Sequence, residues 1–267
     1  MTEPLSWLAM LALAWAIFAA MMAVAWTLQQ RTGNSGWVDV SWTLGLAAGI
    51  FVALLAFGVW ESGRTALTGA LLALWAGRLA WHLTVRTGKI TDDPRYVRMA
   101  EEFGEDAPKK MFWLLQAQAL LSLPLVLTVL IAATNDAPFP TLLDALGVLI
   151  FGAGLYGSNL SDRQLARFKD DPANKGKVCD VGLWAWSRHP NYFFETVIWC
   201  AYVPLALAGT GLLSWSIVAF AGPVAIFVLL RFVSGVPPLE AHMNDRYGAA
   251  YADYAARTPA FVPRPPR

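Results

Sequence analysis

The run Ser187-Arg-His-Pro-Asn-Tyr-Phe-Phe-Glu195, led in by Gly182-Leu-Trp-Ala-Trp186, gathers the densest set of chemically capable side chains in the chain. Arg188 and His189 offer donors to an anion, Pro190 fixes the entry to a helix, and Asn191 follows. Tyr192 adds an aromatic hydroxyl, and Glu195 falls one helical turn inside an apolar segment. Free backbone amides and the positive end of the helix dipole converge at a helix start, so such a stretch suits phosphate or carboxylate. The same residue types also anchor helices at a membrane surface. What tips the balance towards a site is the company that this stretch keeps.

Charges inside apolar spans are expensive and mark function by default. Asp39 lies about one turn into such a span, with Trp42 on the same face. Arg78 and His82 are i,i+4 neighbours in the next one. An Asp39–Arg78 pair that merely fixes packing is the bland alternative; an acid, an arginine and a histidine in one cavity would be a catalytic set. Between spans, Asp92-Asp93-Pro94-Arg95-Tyr96 and the series Asn159, Asp162, Arg163, Arg167, Lys169 form polar, basic junctions. Asp162 can bind a ribose hydroxyl or an amide, and the cations can hold phosphates, arginine in bidentate fashion. For any single cation a topology signal or an anionic-lipid contact is the better reading; for the group together with Asn191 and Tyr192 it is not. Tyr247, Tyr251 and Tyr254 recur at helical spacing beside Arg246, which predicts an amphipathic C-terminal helix. Docked over the opening it would wall a pocket; otherwise it anchors at the interface.

The elements that position these residues are membrane helices. Of 267 residues, 57% are hydrophobic and only 15% charged, against roughly 25% in soluble domains; mean hydropathy is +0.46. With a net charge of +1 nothing suggests a nucleic-acid partner, and the two cysteines have no metal-ligand spacing. No basic region precedes the first apolar run, so it reads as a retained span. A crossing takes about 20 apolar residues, and seven stretches qualify: about 5–28, 37–58, 65–85, 112–133, 142–160, 192–208 and 212–232. The expectation is an all-α integral membrane protein, a seven-transmembrane helix bundle, single-domain over 1–267 and monomeric.

Orientation follows from the basic loops. Arg86, Lys89, Arg95, Arg98, Lys109 and Lys110 follow span three. Arg163, Arg167, Lys169, Lys175, Lys177 and Arg188 follow span five, and Arg246, Arg257, Arg264 and Arg267 lie in the tail. The alternate loops carry only Arg64. All three basic segments therefore face the cytoplasm, with the N-terminus outside.

Ser161-Asp162, Gly176-Lys-Val-Cys-Asp-Val-Gly-Leu-Trp184, the Ser187–Glu195 run and the tyrosine-rich tail closing Arg257-Thr-Pro-Ala-Phe-Val-Pro263 together resemble the steroid 5-alpha-reductase-like membrane proteins. The nearest pattern is their bacterial branch, the domain of unknown function 1295, strongest over 158–263. The resemblance implies a bacterial inner-membrane enzyme that binds NADPH from the cytosol and transfers hydride to a 3-oxo-Δ4-steroid, a lipophilic substrate drawn from membrane lipid. It places Asp162, Arg167 or Lys169, Asn191, Tyr192, Glu195, Arg78 and Tyr247 around the cofactor, and the residue reading above adds Arg95, Tyr96, Asn159, Arg188, His189 and Arg246. Animal members set an acid in span two and a tyrosine in span three against the ketone. Asp39 matches the acid, Trp75 stands at the tyrosine position, and His82 is another proton donor; no metal is implied. The Arg-His-Pro-x-Tyr signature is also similar to S-adenosylmethionine-dependent isoprenylcysteine carboxyl methyltransferases and to sterol C14-reductases. A non-enzymatic lipid-binding scaffold suits the hydrophobicity but not the intramembrane acid, Arg and His.

Overall fold

The computed structural model describes residues 4–60, 62–211 and 214–265. The first two residues of the seventh expected span, and Arg267, lie outside the described residues. Twelve α-helices carry the described fold, and no strand occurs among the described residues. They are α1 (Pro4–Thr32), α2 (Gly36–Ala56), α3 (Gly63–Thr87), α4 (Pro94–Phe103), α5 (Ala107–Leu121), α6 (Leu123–Ala133), α7 (Leu142–Asp170), α8 (Pro190–Cys200), α9 (Tyr202–Leu207), α10 (Ala221–Val228), α11 (Val236–Tyr247) and α12 (Ala249–Arg257).

Two compact units emerge. One holds α1 to α6, α9 and the 3-10 turn Trp215–Phe220; the other holds nearly all of α7, most of α10, and α8, α11 and α12.

In the first unit α1 and α2 form a hairpin around Gly33, whose φ of +66° suits glycine. Gly45 and Gly49, four residues apart, let the two backbones close. A Cβ at Gly49 would stand 2.4 Å from the carbonyl oxygen of Ala14, and one at Gly45 would stand 2.8 Å from Cβ of Met21. Where lipid removes the hydrophobic drive between helices, this small-residue approach supplies the packing.

Helix α3 is tied to the rest of that unit at both ends. Ser62 caps its start by accepting from the Thr65 amide. Next to the cap, Arg64 is fully buried and donates to both oxygens of Asp144 and to the carbonyls of Asn135, Ala137 and Pro138. At the other end Asn34, in the α1–α2 turn, donates to the carbonyls of Thr87 and Ile90. Its 25 residues span about 37 Å at 1.5 Å each.

Five helical segments are long and apolar enough to cross a membrane: Leu5–Thr32, Gly36–Ala56, Pro94–Ala133, Leu142–Asp170 and Trp215–Tyr247. Two of the seven expected spans are not among them, for different reasons. Helix α3 has the length but carries Arg64, Arg78 and Arg86. The sixth breaks at Ala201 into α8 and α9, because the ring of Pro204 opposes the carbonyl of Cys200 four residues back.

In the second unit Gly154 and Gly157 of α7 receive α8. A Cβ at Gly154 would lie 2.8 Å from the Ile198 amide nitrogen. The expected single amphipathic C-terminal helix is two helices, since Gly248 at φ +52° separates α11 from α12. Tyr251 and Tyr254 stay on one buried face of α12, and Tyr247 ends α11 instead.

Candidate functional site

Three polar constellations stand out, two in the second unit and one in the first. The first is the Arg188–His189 element. Pro190 opens α8, where its missing N–H is one that the helix would leave free anyway. Arg188 does not project into an open anion site. Its Nε donates to Glu240 Oε1 at 2.8 Å, its Nη2 stands 2.7 Å from the same oxygen, and its Nη1 donates to the carbonyls of Ala255 and Thr258. The backbone around it is tied to the tail as well. The Arg188 amide donates to Pro259, Ser187 Oγ to the carbonyl of Phe261, and the Arg264 amide to Trp186. Tyr254 donates to the carbonyl of Trp184 at 2.6 Å. The sequence run that reads as an anion cradle is thus a clamp on the C-terminal segment.

His189 completes this clamp. Nε2 lies 3.1 Å from Glu240 Oε1, while Nδ1 is buried without a hydrogen-bond partner. Burial lowers the imidazole below its ordinary value of 6.5; Glu240 opposes this, and the charges of Arg188 and Arg231 add to it. The neutral ring therefore donates from Nε2 and presents Nδ1 as an acceptor. Tyr192 stacks on it at 5.5 Å with planes 8° apart. The Tyr251 hydroxyl is buried beside the pair, and burial with the charge of Glu240 pushes it up to about 12.

The second constellation is the end of α7. Asn191 turns its amide towards Asp162 Oδ1 at 3.5 Å, and its own carbonyl oxygen accepts from the Tyr192 amide. Further along, Gln164, Arg167, Phe168, Asn174, Val181 and Gly182 line an open recess of about 370 Å³, within the size range of small-molecule sites. Gln164 Oε1 accepts from the Leu183 amide, and Asn174 donates to the carbonyl of Phe168, so the walls are held from within. Gly182 is required there: at φ +59°, a Cβ would meet the Gln164 amide at 2.5 Å. Arg163, Arg167, Lys169, Lys175 and Lys177, of which Arg167 lines the recess, are exposed along the same stretch of chain.

The third lies in the first unit. Asp39 pairs with Arg95, not with Arg78 or His82 as sequence spacing suggested. The α4 cap explains this. Asp93, only 1% exposed, caps the Arg95 amide and also accepts from Arg95 Nε and from Arg86. Burial alone would raise the Asp93 carboxyl, but the hydrogen bond and charge of Arg95, with Arg86, hold it below the usual range. Arg95 thus bridges two carboxylates, with Tyr96 buried beside it. Trp42 donates to Ser122 Oγ at 3.1 Å and packs edge-on against Trp75 at 6.3 Å. Trp75 is buried; Arg78 and His82 are half-buried one turn apart on α3.

Of the remaining expected residues, Asn159 is half-buried on α7 and Glu195 is buried on α8. Arg246 stands over the Tyr247 ring at 5.2 Å at the end of α11. Glu240 escaped the sequence reading, although an acid in the run Val236-Pro-Pro-Leu-Glu240 is the same signal that flagged Asp39. Among the described residues no group of three His, Cys, Asp or Glu is placed to hold a metal ion.

Against known proteins, the chain matches the family model described as "Protein of unknown function (DUF1295)" over residues 25–258. The chain belongs to that family. It is 26% identical over 269 residues to an uncharacterized protein, C594.04c, of Schizosaccharomyces pombe, covering 90% of this chain and 76% of that one. It is also 34% identical over 119 residues to "Probable O-methyltransferase ustE" of Ustilaginoidea virens, covering 43% of this chain and 39% of the relative. No solved structure matches.

Proposed function

We propose that this family member is an NADPH-dependent reductase of conjugated C=C bonds in lipophilic, steroid-like substrates. The observation that carries the reading is the end of α7. Five cations face two carboxylates, Asp170 and Asp171, between residues 163 and 177, beside a recess with an aromatic, an arginine and two amides. That donor set fits a polyanionic nucleotide better than the zwitterionic S-adenosylmethionine. Arg167 with Lys169, Lys175 or Lys177 would hold phosphates, Phe168 would stack on a base, and the Asp162–Asn191 junction would take a ribose hydroxyl or an amide. When bound, the cofactor supplies the hydride, and the protein orients it and polarises the acceptor. The polarising group in this reading is Arg95, held by Asp39 and Asp93 beside the Tyr96 ring. A guanidinium aimed at a carbonyl oxygen stabilises the enolate that forms as the β-carbon is reduced.

The same reading takes the protein to cross a bacterial inner membrane seven times, with the N-terminus outside and the basic loops and tail cytoplasmic. With only five crossings, the loops that carry Lys175 and Lys177 and those that carry Arg86 and Lys89 would face away from the basic tail. Counting α3 and the α8–α9 segment returns all three to one side.

The similarity to ustE favours a second reading, an S-adenosylmethionine-dependent methyltransferase on the same scaffold. Thermal unfolding of the detergent-solubilised full chain separates them. A ligand that binds only the folded state raises the midpoint by mass action. Stabilisation by NADPH and not by S-adenosylmethionine is expected; the reverse result would replace the reductase with the methyltransferase.

A further inference from the structure

The segment between α10 and α11, Leu229–Val233, is a π-helical turn inside the apolar stretch Trp215–Tyr247. The Ser234 and Gly235 amides both donate to the Leu229 carbonyl, at 2.8 and 3.3 Å. The turn admits only glycine at its exit, because a Cβ at Gly235 would stand 2.4 Å from the Leu230 carbonyl oxygen. Single π-turns inside helices occur disproportionately at functional sites, since the extra residue redirects a side chain out of register. Here the turn carries Arg231. That guanidinium makes no ion pair or hydrogen bond among the described residues; it stands over the ring of its neighbour Phe232 at 5.0 Å. Arg64, Arg95 and Arg188 each meet a carboxylate. A cation in an apolar span without a counter-charge is costly and points to an anion from elsewhere.

A second observation marks the same neighbourhood. The charge of Arg231 acts on His189, whose Nδ1 is buried and has no partner while its Nε2 is held by Glu240. Arg188 cannot serve an incoming anion, since Glu240 and two carbonyls occupy it. Of the two arginines whose charges act on His189, Arg231 is left for that task.

We propose that Arg231 is an anion-binding residue that receives a phosphoryl group, presented to it by the π-turn. The shared chemistry has two sources, the phosphates of a nucleotide cofactor and the phosphodiester of an anionic lipid headgroup. The nucleotide form rests on the reductase reading above; the lipid form does not.

The test uses the full chain in detergent, with thermal unfolding read in the presence of NADPH, inorganic pyrophosphate, or micelles containing phosphatidylglycerol or phosphatidylcholine. Arg231→Gln removes the charge from a half-buried position, and Arg231→Lys keeps it. Arg231→Gln should weaken stabilisation by NADPH and pyrophosphate by about tenfold in apparent affinity, with Arg231→Lys intermediate; that result assigns the nucleotide source. Loss confined to phosphatidylglycerol assigns the lipid source. Arg231→Gln indistinguishable from the unsubstituted protein with every probe would overturn the proposal, as would an unsubstituted protein that responds to none. If S-adenosylmethionine replaces NADPH as the stabilising cofactor, the reductase reading falls, while the pyrophosphate and phosphatidylglycerol arms still decide the role of Arg231.

Discussion

Asp39 and His189 illustrate two opposite uses of a polar residue near a membrane. Asp39 is about one-quarter exposed and shares Arg95 with the fully sequestered Asp93. Replacing Asp39 by Asn keeps the volume and leaves Arg95 with Asp93, so the fold should survive. The guanidinium would then lose half of its orientation. Turnover of a 3-oxo-Δ4-steroid per folded molecule should fall by roughly ten- to a hundredfold, the size of one charged hydrogen bond. NADPH binding should be unchanged, and an undiminished rate would remove the pair from the reaction. His189 is instead held neutral, facing Glu240, Arg188 and Arg231. Above its ordinary value of 6.5 both folded and unfolded forms are neutral and the stability is complete. As pH falls below that, the unfolded chain takes up a proton that the folded one resists, so stability declines until the folded imidazole, held lower, protonates too. Unfolding midpoints should therefore drop as pH falls below about 6.5, and His189→Gln should flatten that limb. The sequence showed that Arg188 and His189 matter, but not how. Their partner Glu240 lies about fifty residues away, and only the tertiary fold joins them.

At the scale of elements, the sequence was most legible where hydropathy is long and uninterrupted. The stretches 5–28 and 142–160 became parts of longer helices, and 37–58 is helix α2 except for its last two residues. It was least legible where a single residue decides. Pro204 ends α8 early, Gly248 parts α11 from α12, and Gly235 closes a π-turn, while the apolar periodicity runs on past all three. The glycines of α7 offer a direct check, because two of them differ only in what they face. A Cβ at Gly154 meets α8 backbone, the Ile198 amide at 2.8 Å and the Phe194 carbonyl at 3.0 Å, which cannot swing aside. At Gly152 nothing lies within 4 Å. Gly154→Ala should cost about 1–3 kcal/mol through overpacking. Gly152→Ala should be neutral or slightly stabilising, since alanine is the better helix former. Equal effects in thermal unfolding would mean that α7 and α8 do not approach this closely.

For the whole molecule, the decisive question is whether α3 crosses the membrane, because its fate changes the side of every loop that follows it. Composition argues against a crossing, since three arginines dilute the apolar run. The bonding at its ends argues for one. Arg64 is the only basic residue of the alternate loops, and it is not a free surface charge. It is buried against Asp144 and three carbonyls of the α6–α7 turn. The far end of α3 is tied to the α1–α2 turn through Asn34, about 37 Å away along the helix. A hydrocarbon core of about 30 Å fits between those two ties, and Arg78 and His82 then lie within it as half-buried polar groups. Single cysteines placed at Ser62 and at Lys89, in a chain with Cys179→Ser and Cys200→Ala, test this in intact cells. A membrane-impermeant thiol reagent should label the cysteine at Ser62 from outside, and the one at Lys89 only after the membrane is opened. Labelling of both from the same side would make α3 a surface helix. It would also reverse the side assigned to Lys175 and Lys177, and with it the cytosolic access on which an NADPH site at the end of α7 depends.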